Sequence, residues 1–218
     1  MSNLIRGNAI VADEWTVVNL PVVEEVVRKQ AGKVVLFKLT GEPGATPEQI
    51  ANTQIPPTGK IIVPLTVWIA RKAELAPRLA KGELGVWLAP HETVETLVKE
   101  QPELNQFPII GVYHERHGDG RPYSMAFLLR TRYGYTNELR VFGDVIRDQL
   151  FFYKRCGFDS FLIRADRSAE DALASFRDFS DSYQGAVDNP LPVWRRIARH
   201  GSHVSHAPAK NMAMDDAD

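Results

Sequence analysis

The 218-residue chain has little that would support several common protein classes, starting with its single cysteine, Cys156. One thiol excludes an intrachain disulfide framework, a metal site built from cysteines and an iron–sulfur cluster. A net charge of -1, from 26 basic and 27 acidic residues, does not favour nucleic acid or an anionic membrane as a partner. No segment approaches the roughly 20 apolar residues of a membrane-spanning helix, and residues 1–15 lack the apolar run of a signal peptide. We therefore expect a cytoplasmic protein.

The sequence also lacks the motifs of the common redox cofactors. It contains no GxGxxG loop, no CxxC pair and no haem-attachment motif, so no motif implies a cofactor. Cys156 closes a predicted helix just before Gly157, which reads as a helix C-cap. Because the C-terminal end of a helix disfavours a thiolate, we interpret Cys156 as a packed core residue.

Histidines occur in two polar segments, and neither predicts a metal site. His114 and His117 lie with Asp119 in a glycine-rich loop, where no helix or strand spacing makes the side chains converge. A second set stands at every third position near the end of the sequence, where Gly201 and Pro208 break any helix: His200, His203 and His206.

Composition divides the chain into three parts. Residues 1–59 form a β-rich leader with a Pro/Gly-rich insertion, residues 60–186 an α/β core domain, and residues 187–218 an extension that is mostly a disordered tail. Within the leader we expect strands at 5–12, 15–20 and 33–39, a helix at 21–30 and a helical turn at 47–52.

The core domain alternates short apolar runs with helical patterns, which is typical of βα units in a mostly parallel sheet. About five such units fit either a small doubly wound sheet or a partial β/α barrel, and right-handed crossovers allow both. The predicted strands are 60–63, 84–88, 107–113, 139–142 and 158–163, and the helices are 65–79, 92–100, 123–133, 145–155 and 168–183.

One candidate site follows the fourth core strand, where Gly143 and Asp144 lead into a helix. Asp144 suits a helix N-cap, and that structural role alone would explain it. Ligands of open parallel sheets, however, bind beyond the carboxyl ends of the strands, close to helix N-termini. There Asp144 would join Arg147, Asp148 and Gln149. Gln149 falls beside the apolar face of its helix, where a loop backbone or a ligand could satisfy its amide.

A second group precedes the helix at 123–133, where Arg121 and Tyr123 follow a polar loop. Residues 121–159 hold seven basic and four acidic side chains, a mild cationic excess. Guanidinium groups bind oxyanions through paired hydrogen bonds. We therefore predict an oxyanion-binding edge, and assign no catalytic or metal-binding residue. Its members are Arg121, Tyr123, Asp144, Arg147, Asp148 and Gln149.

Several short motifs between residues 60 and 183 resemble one bacterial protein family. They are Gly120-Arg121-Pro122-Tyr123-Ser124, Leu128-Leu129-Arg130, Gly134-Tyr135, Glu138-Leu139-Arg140, Gly143-Asp144-Val145, Arg147-Asp148-Gln149-Leu150 and Arg155-Cys156-Gly157-Phe158-Asp159. This pattern resembles domain of unknown function family 934, whose members carry the label of oxidoreductases of sulfite reduction. The first motif is usually spelled GRGYS and is GRPYS here, so Pro122 stiffens that turn.

The resemblance implies a place in assimilatory sulfur metabolism, because members are typically encoded beside the sulfite reductase haemoprotein. It transfers no catalytic residue, and whether the chain is an enzyme stays open. Our first hypothesis is an accessory protein of sulfite reduction, which binds the reductase or an oxyanion at the basic edge. The alternatives are an oxidoreductase that uses flavin or NAD(P)H, and a non-catalytic homodimeric scaffold that associates through the apolar face of the leader.

Overall fold

The computed structural model describes residues 3–21, 40–41 and 45–196. Several predictions lie outside these residues: the strand at 33–39, the helix at 21–30 beyond its first residue, and the tail with His200, His203 and His206. The helical turn predicted at 47–52 is confirmed as a short helix, capped by Thr46.

The described residues form an α/β fold with eight strands and eight α-helices. The strands are β1 (Leu4–Arg6), β2 (Ala9–Val11), β3 (Trp15–Val17), β4 (Lys60–Pro64), β5 (Leu84–Leu88), β6 (Ile109–His114), β7 (Glu138–Gly143) and β8 (Ser160–Leu162). The helices are α1 (Pro47–Ala51), α2 (Leu65–Ala70), α3 (Lys72–Ala80), α4 (Val94–Glu100), α5 (Arg121–Thr131), α6 (Leu150–Cys156), α7 (Ala169–Ala174) and α8 (Val193–Arg196).

All eight strands belong to one mostly parallel sheet with the order β2-β1-β8-β7-β6-β5-β4-β3. From β3 to β8 the strands are parallel and follow one another in sequence order, whereas β1 runs antiparallel to both β2 and β8. The prediction of an α/β fold with a mostly parallel sheet is therefore confirmed. The order never reverses within β3–β8, so this part of the chain has no switch point of the doubly wound kind.

The two edges of the sheet are close together in the chain, and this forces the sheet to curl. β2 and β3 are the outermost strands, yet only residues 12–14 join them. Across a flat sheet of this size the outer strands would be about 33 Å apart, at about 4.8 Å per strand. The chain from Val11 to Trp15 spans at most about 14 Å even when fully extended. The sheet must therefore bend until its edges approach each other.

The helices pack on one face of this curled sheet. Along β6, Ile110 and Val112 point into a large apolar core that also contains the buried residues of α2 to α7. Ile109, which precedes Ile110 on the same strand, belongs to a second, smaller core on the opposite face, to which no described helix contributes. That inner core consists of Ile62, Trp87, Ala89, Ile109 and Phe142, with Trp15, Val17, Tyr113 and Leu162 packed against it.

A buried ionic cluster on the inner face attaches the β2–β3 connection to the middle of the sheet. Arg140 of β7 is only 1% exposed, and its guanidinium donates to both carboxylate oxygens of Asp13, at 2.9 and 3.0 Å. The same guanidinium donates to Glu138 at 2.8 Å and to the hydroxyl of Ser160 at 3.2 Å. We refer to Asp13, Glu138, Arg140 and Ser160 as the Arg140 cluster.

Several predicted elements have different boundaries from those expected. The helix predicted at 168–183 is only α7, followed by a 3₁₀ turn at Ser175–Arg177. The single strand at 5–12 is two strands, because Gly7 adopts a left-handed φ of 60° and turns the chain back. The helix at 65–79 divides at Arg71, whose ψ of 26° interrupts it. The helix at 145–155 begins as α6 at Leu150, after a single 3₁₀ turn, Arg147–Gln149.

Candidate functional site

Parallel strands place the segments that follow them at one edge of the sheet, and a cavity of about 450 Å³ lies at this edge. It is located between the first turns of α4 and α5, which follow β5 and β6. Among its lining residues that the structure describes, Arg121 is the cationic one and Glu92 and Glu95 are the acidic ones. The lining comprises Thr40, Pro90, Glu92, Thr93, Val94, Glu95, Gly120, Arg121, Ser124, Met125 and Leu128.

Glu92 lies at the inner end of this cavity, in the turn after β5. The backbone N–H of Ala89 donates to its Oε2 at 2.7 Å. Burial raises the pKa of the Glu92 carboxyl to about 7, and backbone hydrogen bonds from Ala89 and Thr66 only partly offset this. A carboxyl with such a pKa gains and loses its proton near neutral pH, which is what a proton-transfer group requires.

Arg121 is placed at the cavity and held there by Asp119. Its guanidinium forms paired hydrogen bonds with both carboxylate oxygens of Asp119, between 2.7 and 3.1 Å. The backbone N–H of Arg121 also donates to Asp119 at 3.0 Å, so this carboxylate satisfies part of the N-terminal end of α5. Burial opposes ionisation of Asp119, but the bonds from Arg121 outweigh it and lower the pKa of Asp119.

Behind this arginine, four side chains form a continuous hydrogen-bonded chain. The Nδ1 of His114 bonds to the hydroxyl of Tyr153, and this hydroxyl also bonds to Oε1 of Gln149 at 3.3 Å. The amide nitrogen of Gln149 donates to the hydroxyl of Tyr123 at 3.1 Å and to the carbonyl of His117 at 3.3 Å. Gln149 is thus satisfied by side chains and by a loop backbone, and it holds the 115–120 loop against α6.

Within this hydrogen-bonded chain of side chains, His114, Tyr123 and Tyr153 carry no charge near neutral pH. Burial lowers the pKa of His114, although the nearby Asp119 works in the opposite direction. Burial likewise raises the pKa of Tyr123 and of Tyr153. The chain therefore positions a loop through neutral hydrogen bonds rather than through ion pairs.

Asp144 holds the same loop from the other side, and its predicted role as an N-cap is wrong. Its carboxylate accepts the backbone N–H of His117 at 3.0 Å and a bond from Arg164 at 2.5 Å. Ile146 occupies the N-cap position of the 3₁₀ turn and Gln149 that of α6, so Asp144 caps neither. Asp144, Gln149 and Tyr123 therefore meet around the 115–120 loop.

Arg147 and Asp148 lie apart from this group. Arg147 binds Asp171 and Asp178, which belong to the segment around α7. Asp148 is exposed, and the hydrogen bonds and ion pairs found within residues 3–21, 40–41 and 45–196 do not include it. The structure thus brings Arg121, Tyr123, Asp144 and Gln149 to one edge and separates the other two predicted members from them.

Cys156 has the surroundings of a structural thiol. Burial raises its pKa to about 11, so it remains protonated at neutral pH. Gly157 follows with a φ of 107° and closes α6, as its position in the sequence predicts.

No group of three or more histidine, cysteine, aspartate or glutamate residues suited to a metal occurs in the described part of the chain. Of the helices described there, none has the length and apolarity to cross a membrane.

Sequence reasoning missed Glu92, Tyr153 and Arg164. Glu92 begins the predicted helix at 92–100, four residues after the predicted strand at 84–88, so its place between a strand end and a helix start was a usable signal. Nothing local distinguishes Tyr153 from the apolar residues beside it on α6. Arg164 is paired with Asp144 across 20 residues, and such a pairing requires knowledge of which strands are neighbours.

A family model described as "Bacterial protein of unknown function (DUF934)" matches residues 85–194. The matched segment begins in β5 and ends in α8, and it includes Glu92, the 115–120 loop and all six residues of the predicted edge. No curated protein and no solved structure matches the chain.

Proposed function

The chain belongs to the bacterial family of unknown function DUF934, and from this premise we propose that it is an accessory protein of assimilatory sulfite reduction that binds a small oxyanion. The observation that carries the proposal is the cavity between the first turns of α4 and α5, which Arg121 lines. Backbone N–H groups at the start of a helix and a guanidinium both favour an anion. Binding of the sulfite reductase itself is the other form of the same proposal.

We further propose that the curled sheet is a partial β/α barrel. The sequential strand order, the helices on one face and the short connection between the outer strands support this arrangement. In β/α barrels, ligands bind at the carboxyl ends of the strands. The proposed oxyanion cavity lies at that end, beside the termini of β5 and β6.

Asp119 sets the conditions for this binding, because it already neutralises Arg121. An incoming oxyanion must share the guanidinium with Asp119 or displace it. We therefore expect weak binding by the native protein and tighter binding by an Asp119→Asn variant, in which the guanidinium loses its competing charge.

Calorimetric titration with sulfite, and separately with sulfate, tests the proposal. We expect Arg121→Ala to weaken binding by at least about tenfold, the effect of losing one charged hydrogen-bonding pair. Arg147→Ala is the matched control, since its guanidinium binds Asp171 and Asp178 away from the cavity. Equal heats for the native protein and both variants would rule out an oxyanion site at Arg121.

One observation favours the enzyme alternative, an oxidoreductase that uses flavin or NAD(P)H. Glu92 lines the same cavity, and its pKa of about 7 suits proton transfer to a bound substrate. The absorbance spectrum of the purified protein would show flavin bands directly. A melting temperature that FMN, FAD, NADH and NADPH all leave unchanged would contradict this alternative, because ligands that bind the native state stabilise it.

A further inference from the structure

The large apolar side chains that are exposed to solvent lie close together in the described part of the chain. All of them fall between residues 127 and 194, on α5, on α6 and in the segment that follows α7. We refer to these six side chains as the aromatic face: Phe127 (46% exposed), Phe152 (52%), Phe179 (61%), Tyr183 (70%), Leu191 (46%) and Trp194 (46%).

Contacts within the aromatic face show that much of it is continuous. Phe127 and Trp194 line one groove of about 590 Å³, together with Pro190 and Pro192. The ring of Tyr183 lies 4.9 Å from that of Trp194. On the other side, the ring of Phe152 lies 4.8 Å from Tyr123, one helical turn before Phe127 on α5.

The exposed apolar area is at the upper end of what a typical monomer shows. With about 200 Å² for each large side chain, exposures of 46–70% leave on the order of 600 Å² of apolar surface. The largest apolar patch on a typical monomer is about 300–600 Å². A stable interface buries about 800 Å² on each partner, so the face and its rim have the size of one half of an interface.

The aromatic face also has the features that a symmetric contact needs. A two-fold interface must be complementary to itself, and this face contains both a groove and projecting rings such as Phe179 and Tyr183. Its nearby acidic groups are paired within the chain, Asp178 with Arg147 and Asp181 with Arg196. Two copies would therefore meet without repulsion between these groups.

We propose that the aromatic face binds the aromatic face of a second copy of this chain, in a two-fold symmetric dimer. The groove uses Phe127, Arg130 and Thr131 of α5, whereas the oxyanion cavity uses Ser124, Met125 and Leu128. The two sites lie on different sides of the same helix, so the dimer is independent of the proposed oxyanion binding. Within the leader, Leu4 and Ile5 are buried in the core of their own chain, so these two side chains are not part of a dimer contact.

Sedimentation equilibrium of the full-length protein tests the proposal. We expect a mass twice the 24.5 kDa of one chain at micromolar concentration. Phe127→Glu and Trp194→Glu, which both alter the lining of the groove, should each weaken association by at least about tenfold, as expected for central interface aromatics. Ala76→Glu is the matched control, since it introduces the same charge at an exposed position of α3, away from the face.

Circular dichroism and thermal melting would establish that each variant is folded. The native protein also tests the proposal without any substitution. A monomeric mass at 100 µM, on the order of the highest useful concentration for a weak complex, would overturn it. That result would mean that another protein, or a further part of this chain, covers the face. A dimer that all three variants leave intact would equally overturn the assignment of the interface.

Discussion

Glu92 is the residue whose environment differs most usefully from that of an ordinary carboxylate. Its pKa is raised from 4.5 to about 7, so between these values the native state binds a proton that the unfolded chain has already lost. Stability therefore decreases as the pH rises through this window, and the loss persists above pH 7. A difference of this size corresponds to at most about 3 kcal/mol.

From this we predict that Glu92→Gln stabilises the protein at pH 8 and has little effect at pH 4.5. The amide has the same shape and can still accept the N–H of Ala89, but it carries no charge to desolvate. Urea unfolding at both pH values measures the difference. Glu95→Gln, at an exposed position on α4, is the control and should change stability little at either pH. Equal stabilisation by Glu92→Gln at both pH values would contradict the assigned pKa.

At the scale of elements, the ends of α6 show what local sequence determines and what it does not. Its C-terminal end is a local matter: Gly157 provides the left-handed residue, and the sequence predicts that end correctly. Its N-terminal end depends on distant groups. Asp144 binds the 115–120 loop and Arg164 instead of capping the helix. Residues 145–149 therefore precede α6 instead of forming its first turn.

Gly157 allows a test of how much this helix end contributes to stability. A Cβ at this position would lie 2.6 Å from Cγ of Arg130, whose side chain donates to the Gly157 carbonyl. We predict that Gly157→Ala destabilises the protein by about 2–4 kcal/mol, from left-handed strain together with displacement of Arg130. Gly134→Ala is the control, with a φ of 62° and no atom near its Cβ, and should cost only about 1 kcal/mol of strain. Equal losses, measured by urea unfolding, would show that Arg130 adjusts freely.

The same distinction explains how far the candidate site could be predicted. Arg121 and Tyr123 were found because they stand at the start of a predicted helix, and Gln149 because it is a polar residue beside the apolar face of its predicted helix. Arg147 stands near the start of a predicted helix too, but Asp171 and Asp178 draw it towards α7. The partners of Arg121 and Arg147 decide whether either guanidinium can meet an anion, and the alternation of strands and helices does not specify those partners.

At the scale of the whole molecule, the Arg140 cluster joins the two edges of the sheet to its centre. We predict that Arg140→Met destabilises the protein by about 3–5 kcal/mol, because the buried carboxylate of Glu138 then keeps only its longer, 3.5 Å contact with the exposed Arg6. The double variant Arg140→Met/Glu138→Leu removes the stranded charge and should recover more than half of that loss. Urea unfolding of both variants measures this. A double variant as unstable as the sum of the two single ones would show that the two residues are not coupled.

The overall fold was predictable in class because buried parallel strands and packed helices leave clear periodic patterns. The curl of the sheet was not predictable, because it depends on β1 pairing with β8 and on β3 pairing with β4. Residues 12–14 connect these two edges, but nothing in their sequence indicates that the strands beside them belong at opposite ends of one sheet.

This arrangement also determines the order in which the chain can mature during its synthesis. β1 leaves the ribosome well before its partner β8, which begins at Ser160, and Asp13 is synthesised well before its partner Arg140. Until β8 emerges, β1 therefore has one unpaired strand edge, which is a site of incorrect pairing between nascent chains. Contacts over such long stretches of sequence also form slowly. We expect the closing of the sheet edges to be the last step of folding, completed only after β8 has emerged.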